Sequence, residues 1–176
     1  MTPPPPDASR SGRTPASAFV RLWEEVLRDC ELERVRQEPV GRLAALAGEV
    51  EVRFLVAEHA RIQTQWDAIR ETDAGDVSDD YWRMATALVA VIAQSGPVAD
   101  DALRAVVGDL SGPDRKSAAM LLEARRSRAT AEWLGAAIAG EEDAAVRAAL
   151  QRAFETSVRE SWWRRWLRWA LTRSAR

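Results

Sequence analysis

The side chains best suited to chemistry are scarce in this chain, which has one histidine, His59, and one cysteine, Cys30. A catalytic or metal-binding histidine needs partner side chains, and the sequence beside His59 offers only Glu58. Cys30 belongs to an apolar helical stripe, where a thiol packs as a small hydrophobic group. No glycine-rich phosphate loop, nucleophile elbow or paired-histidine zinc motif is present. The sequence therefore predicts no catalytic, cofactor-binding or metal-binding residue, and we expect a protein that is not an enzyme.

Carboxylates concentrate in one short segment, residues 71–80, which contains five of them. Oxygen ligands of this kind suit a divalent cation. The segment lacks the spacing of a calcium-binding loop and the glutamate that ends such a loop. We expect a solvated acidic loop and no metal site.

Residues 159–176 differ in composition from the rest of the chain. They contain four of the eight tryptophans, six arginines and one glutamate, a net charge of +5, whereas residues 1–158 carry a net charge of −7. On a helix with about 100° per residue, the tryptophans share one arc and most of the arginines lie opposite. The segment is predicted to form a basic amphipathic helix.

Four interpretations of this C-terminal helix stay open. It packs back on the body as a cap, or it docks a protein partner, since Trp and Arg dominate many interface energies. Alternatively it lies in an anionic membrane surface, or it binds nucleic acid through Arg–phosphate contacts and Trp stacking. Residues 125–128, with three arginines, would extend such a basic surface. The predicted partner-binding residues are Trp162, Trp163, Arg164, Arg165, Trp166, Arg168 and Trp169.

The sequence pattern of the rest of the chain, which must position these residues, predicts helices throughout. Apolar residues recur at three- and four-residue spacing from Phe19 to Cys30, and a strand-like alternation at residues 50–54 lies between helical patterns. The prolines of residues 3–6 cannot enter a helix, so residues 1–15 are predicted to be a disordered tail. Four further tryptophans on helical stripes are predicted to be core residues: Trp23, Trp66, Trp82 and Trp133.

Neither a secretory signal nor an apolar run of membrane-spanning length is found. A single cysteine also excludes an internal disulfide framework and fits a reducing compartment. We expect a cytoplasmic location, with peripheral association at the membrane as the alternative.

A repeat is the most informative feature of the body. Four segments each combine a basic residue with following alanines and large apolar residues. The basic residues are Arg53, Arg83, Lys116 and Arg147, at intervals of 30, 33 and 31 residues. Small residues let neighbouring helices approach closely, and large residues fill the seam between them.

These segments resemble the HEAT-repeat family in its short bacterial form, whose unit is two antiparallel helices. The second helix of the unit carries a Val-Arg pair after an acidic turn. Val52-Arg53 follows Glu49 in this way, and Val146-Arg147 follows Asp143. Arg115-Lys116 matches in charge only.

The second unit, at Trp82-Arg83, has no clean upstream helix, and residues 62–70 are nominated for that role. The resemblance spans about residues 40–157. It implies an all-α fold, a short α-solenoid of about four helical hairpins with helical caps, made by residues 16–158 and followed by the 159–176 helix. The polar positions nominated for its concave face are Glu58, Arg61, Arg83, Lys116, Glu123, Arg147 and Gln151.

These features together predict a non-catalytic protein-binding or scaffold subunit of a cytoplasmic bacterial assembly. It would dock through the solenoid surface and the C-terminal helix. The alternative is a membrane-surface or nucleic-acid-associated protein that uses the same basic helix.

Overall fold

The computed structural model of the protein describes the backbone of residues 14–32, 36–70, 75–110, 112, 114–125 and 128–174, and within it the side chains of all but residues 70, 75–78, 128 and 160–174. Every regular element in this part of the chain is an α-helix, which confirms the predicted all-α class. The helices are α1 (Ser17–Glu31), α2 (Gln37–Leu46), α3 (Glu49–Arg70), α4 (Gly75–Gln94), α5 (Val98–Gly108), α6 (Arg115–Leu122), α7 (Arg128–Gly140) and α8 (Ala144–Ser174).

Most helix limits follow from local sequence signals. Pro39 lies in the first turn of α2, where a missing N–H leaves no helical hydrogen bond unmade. The strand-like residues 50–54 are helical, as predicted, because they sit inside α3. Of the predicted disordered tail, residues 1–13 lie outside the described residues, and Thr14 and Pro15 precede α1.

Two predicted limits are wrong. Residues 62–70 are not a separate helix but the last part of α3, which runs on because no Gly or Pro interrupts it. Residues 75–80 are not a loop, since α4 begins at Gly75. Carboxylates are stabilised near a helix N-terminus, so the acidic composition of this segment is compatible with a helix start.

The helices share one core that runs the length of the described body. α4 packs on α1, α2 and α3, and α3 also contacts α5 and α6. α5 pairs with α6, α7 pairs with α8, and α6 packs on α8. The large side chains at the centre are fully buried and include Phe19, Trp23, Leu43, Leu55, Ile62, Leu88, Ile92, Leu103, Leu121, Leu122, Leu134 and Leu150.

Two contacts show that α6 and α8 run in the same direction. At the start of α6, Arg115 bonds Glu141, which lies just before α8. At the end of α6, the Thr156 hydroxyl of α8 donates to the Glu123 carboxylate over 3.1 Å. Ala118 in the middle of α6 and Ala149 in the second turn of α8 are buried. Their small size allows the two helices to approach closely.

Replacing these alanines tests that close approach. We expect Ala118→Leu and Ala149→Leu each to lower the free energy of unfolding by roughly 1–3 kcal/mol, because extra methyl groups overpack a filled core. Urea denaturation followed by circular dichroism measures the change. Ala148→Leu, at an exposed position of α8, is the matched control and should be nearly neutral. Neutral effects at both buried sites would contradict close packing there.

Candidate interaction surfaces

Three of the seven residues nominated for a concave face are exposed on the parallel helices α6 and α8. They are Lys116, Arg147 and Gln151. The Arg147 guanidinium turns back toward the end of α7, where its Nε donates to the backbone oxygen of Glu141 over 2.8 Å and a second nitrogen donates to the same oxygen. The exposed polar surface here is therefore formed mainly by Lys116 and Gln151.

The start of α8 is capped by a carboxylate. Asp143 Oδ1 accepts the backbone N–H groups of Ala145 at 2.8 Å and Val146 at 3.0 Å. These two hydrogen bonds, helped by the positive charges of Arg115 and Lys116, hold the pKa of Asp143 below its ordinary value. The cap satisfies N–H groups that would otherwise lack partners at the helix end.

A buried ion pair beside this cap lies where the ends of α5 and α7 meet the starts of α6 and α8. Arg115 and Glu141, both at most 9% exposed, meet at 2.5 Å. The Nε of Arg115 also donates to the backbone oxygen of Val107 in α5, over 2.8 Å. The other oxygen of Glu141 accepts the N–H of Asp143. Burial removes both charges from water, and the contact with the opposite charge offsets that desolvation cost.

The nominated residues of α3 form a local cluster at the side of α1. Glu58 accepts a hydrogen bond from the indole N–H of Trp23 at 3.3 Å and pairs with Arg61 at 2.8 Å. Arg61 also donates to Gln65. The Glu58 carboxylate thus accepts the hydrogen bond of a buried indole N–H, and Arg61 contacts this carboxylate from the solvent side.

The two remaining nominated residues are also engaged locally. Arg83 pairs with Asp80 one turn earlier in α4, at 2.7 Å. Glu123 accepts from Thr156 across the α6–α8 contact. The seven residues are spread over α3, α4, α6 and α8, and the concave face that they were nominated to line stays a prediction.

The expected contribution of Arg125 to a basic surface is wrong. Its guanidinium is directed into the body, where it donates to four backbone oxygens at the end of α4 and to Asp100 of α5 at 2.8 Å. The acceptor residues on α4 and its following turn are Ile92, Ala93, Ser95 and Gly96. Arg125 thus satisfies the carbonyls that a helix end leaves free. No local sequence signal distinguishes it from its neighbours, of which residues 126–127 lie outside the described residues.

Cys30 is buried in the core, as predicted. His59 is only 3% exposed, whereas the sequence favours a position that is half-buried or on the helix surface. Burial lowers the pKa of His59 to about 4, and its Nδ1 has no hydrogen-bond partner among the described residues. Burial and then the charge of Asp29 raise the pKa of Cys30 to about 11. At neutral pH the imidazole is neutral and the thiol is protonated.

The tryptophans of the body differ in burial. Trp23 is buried, as predicted, and Trp133 is half-buried with the Arg104 guanidinium 5.7 Å from its ring centre. Trp66 is half-buried as well. Trp82 is not a core residue, since it is 57% exposed. The core side of α4 is formed by residues such as Leu88 and Ile92, and Trp82 projects from the opposite side.

An exposed apolar face on α4 accompanies Trp82. Thr86, Val89 and Ala93 follow it at four-, three- and four-residue spacing and are exposed as well. These four residues, which we call the α4 face, contain no charge over about three helical turns. The three- and four-residue spacing of these residues is visible in the sequence, but the buried face of a helix shows the same spacing.

The C-terminal segment is helical, in agreement with the prediction, and it is continuous with α8 instead of being a separate element. The nominated side chains, from Trp162 to Trp169, lie outside the described side chains. In the first half of α8, burial follows a helical stripe that extends to Ser157, after which Val158 is 41% exposed.

Within the described residues, no group of three or more His, Cys, Asp or Glu side chains is placed to hold a metal ion. The described helices also include none with the length and apolarity needed to cross a bilayer. No protein-family model matches this chain, and no match is found among curated proteins or solved structures.

The buried His59 predicts a loss of stability in acid. The unfolded chain takes up a proton near the ordinary pKa of 6.5, whereas the folded chain resists protonation until about pH 4. The free energy of unfolding should therefore fall by about 3 kcal/mol as the pH drops through this window. Urea denaturation at several pH values, on the wild type and on His59→Leu, measures it. Equal losses in both proteins would contradict the assignment to His59.

The role of Arg125 predicts a large cost for its removal. Arg125→Met leaves the α4 carbonyls and Asp100 without their donor, and we expect the free energy of unfolding to fall by about 2–4 kcal/mol. Arg53→Met is the control, because Arg53 is 45% exposed and pairs only with Glu49 on the helix surface. That control should change stability by no more than about 0.5 kcal/mol. Similar results for the two variants would show that Arg125 is not a structural cap.

Proposed function

We propose that this chain is a non-catalytic protein-binding or scaffold protein of a cytoplasmic bacterial assembly, and that the C-terminal part of α8 is its docking element. The observation that carries the proposal is the length of α8. At 31 residues it is about 46 Å long, whereas α7, its antiparallel neighbour with 13 residues, is about 20 Å long.

The register between these helices indicates where α8 passes the end of α7. Gly135 of α7 lies beside the Phe154 ring, since a Cβ at Gly135 would be 3.8 Å from it. The first residue of α7, Arg128, lies seven residues before Gly135. In an antiparallel pair it therefore lies opposite a residue about seven positions after Phe154, which is residue 161 of α8. On the other side, α6 ends near Thr156. The tryptophan-rich turns therefore begin where both packing partners end.

The charge distribution supports docking by this segment. Residues 159–176 carry +5 in a chain whose other residues carry −7. A helix that combines arginine with tryptophan supplies the residue types that contribute most to interface energies. Electrostatic attraction of such a helix would also speed association with an acidic partner surface.

The body is proposed to be a short HEAT-like solenoid. Parallel packing of α6 on α8, the second helices of the last two predicted units, supports this arrangement, as do the buried alanines in both helices. Stacked helical pairs of this kind present one continuous surface. Lys116 and Gln151 would belong to the part of it that is open to a partner.

The alternative is association with an anionic membrane surface or with nucleic acid through the same segment. The amphipathic pattern and the arginines suit both. Sedimentation with anionic vesicles, and gel-shift with single-stranded DNA, separate these alternatives from a protein partner.

A double substitution tests the docking role. We expect Trp166→Ala/Trp169→Ala to leave the free energy of unfolding within about 0.5 kcal/mol of the wild type, because docking residues make few contacts inside the free protein. Urea denaturation followed by circular dichroism measures it. The matched positive control is Trp23→Ala, which empties a core position and should cost about 3–5 kcal/mol.

A loss of several kcal/mol in the double variant would contradict the proposal. It would show that the C-terminal tryptophans pack as an internal cap, which is the interpretation that competes with docking.

A further inference from the structure

We propose that the C-terminal helix of one copy of this chain docks on the α4 face of a second copy. This inference rests on the proposed function, because it names the partner that the C-terminal helix binds. The contact would be heterologous, with two different surfaces of the same chain meeting.

The α4 face has the properties of a helix-binding site. Trp82 and Val89 are 57% and 38% exposed and sit two turns apart on one side of α4. Thr86 between them and Ala93 beyond them are exposed as well, and none of the four is charged. An apolar helix face that is open to solvent at a tryptophan is a frequent site of protein contact.

One end of the face is acidic. Asp79 is exposed one turn before Trp82, and Asp80 follows it. Glu31, at the end of α1, is also exposed, and α1 packs on α4. Two bases lie there as well: Arg83, which pairs with Asp80, and the exposed Arg28 in the last turn of α1. An apolar surface with an acidic end is complementary to a helix that has an apolar arc and a net charge of +5.

The dimensions of the two surfaces agree. From Trp82 to Ala93 the α4 face is about 17 Å long, and the turns from Trp162 to Leu171 cover about 14 Å. Both surfaces thus span about three turns of helix. Tryptophans on the incoming helix would cover Trp82 and Val89, and the net positive charge of that helix would be attracted by the carboxylates at the end of the face.

The continuity of α8 favours a second copy over an intramolecular contact. α8 is unbroken from Ala144 to Ser174 and packs on α6 and α7, whereas α4 packs on α1, α2 and α3. A helix without a Pro, Gly or bulge to kink it does not fold back on a distant element. Within one chain, the C-terminal turns therefore continue in the direction set by the first half of α8.

Sedimentation velocity of the full-length protein over a concentration series tests the contact. A contact of one helix is small, so the series should extend to about 100 μM. We expect the wild type to associate, and Trp82→Arg to weaken association about tenfold or more, since it places a positive charge where the basic helix docks. The matched control is Leu110→Arg, the same change at a residue that is 80% exposed outside the α4 face. That control should associate like the wild type.

A mixing experiment gives the sharper test. Trp82→Arg keeps an intact C-terminal helix, and Trp166→Ala/Trp169→Ala keeps an intact α4 face. Each variant alone should be monomeric, but a mixture should form a 1:1 dimer and nothing larger, because one complementary contact remains. A mixture that stays monomeric would overturn the proposal, and so would a wild type that does not associate.

The outcomes separate this inference from the docking role itself. Suppose that Trp166→Ala/Trp169→Ala is folded and monomeric while Trp82→Arg associates like the wild type. The C-terminal helix then docks on something other than the α4 face, so this inference fails and the proposed function stands. If Trp166→Ala/Trp169→Ala is instead strongly destabilised, the docking role fails, and this inference fails with it.

Discussion

The buried ion pair between Arg115 and Glu141 sets where α8 begins. Arg115 is the first residue of α6 and also holds a carbonyl of α5, while Glu141 lies in the short connection between α7 and α8. Neither charge could stay buried without the other. The ends of four helices therefore meet at one point, and the direction of α8 follows from it, because this helix continues without a break to Ser174.

A second arginine, Arg125, holds the other end of α6. Arg125 follows α6 and reaches the carbonyls at the end of α4 together with Asp100. A guanidinium can do this because it offers five donors in a rigid plane, whereas an ammonium is a compact charge on a flexible stem. α6, with only eight residues, is thus held at both ends by side chains that bridge to other helices. A short helix gains little from its own hydrogen bonds, so its position depends on such tertiary contacts.

The chain separates two kinds of surface that suit each other. Acidic residues border the exposed apolar face of α4 in the N-terminal half, and the arginines and tryptophans of the C-terminal segment follow the last helix pair. In the proposed function, the docking element is the part of α8 that continues beyond the ends of α6 and α7, so docking requires no change in how the body packs.

The sequence by itself determined the all-α class, the helical nature of residues 50–54, the burial of Cys30, and the helical C-terminal segment. These features follow from apolar spacing and composition, which act within a few turns of helix. Only the tertiary structure decided that Trp82 is exposed while Trp23 is buried, because both lie on apolar stripes and a stripe does not say which neighbour covers it. It also decided that His59 is buried and that Arg125 is an internal cap. A charged residue near a turn looks the same in sequence whether it faces solvent or a distant helix end, since the carbonyls it satisfies are about 30 positions away in the chain.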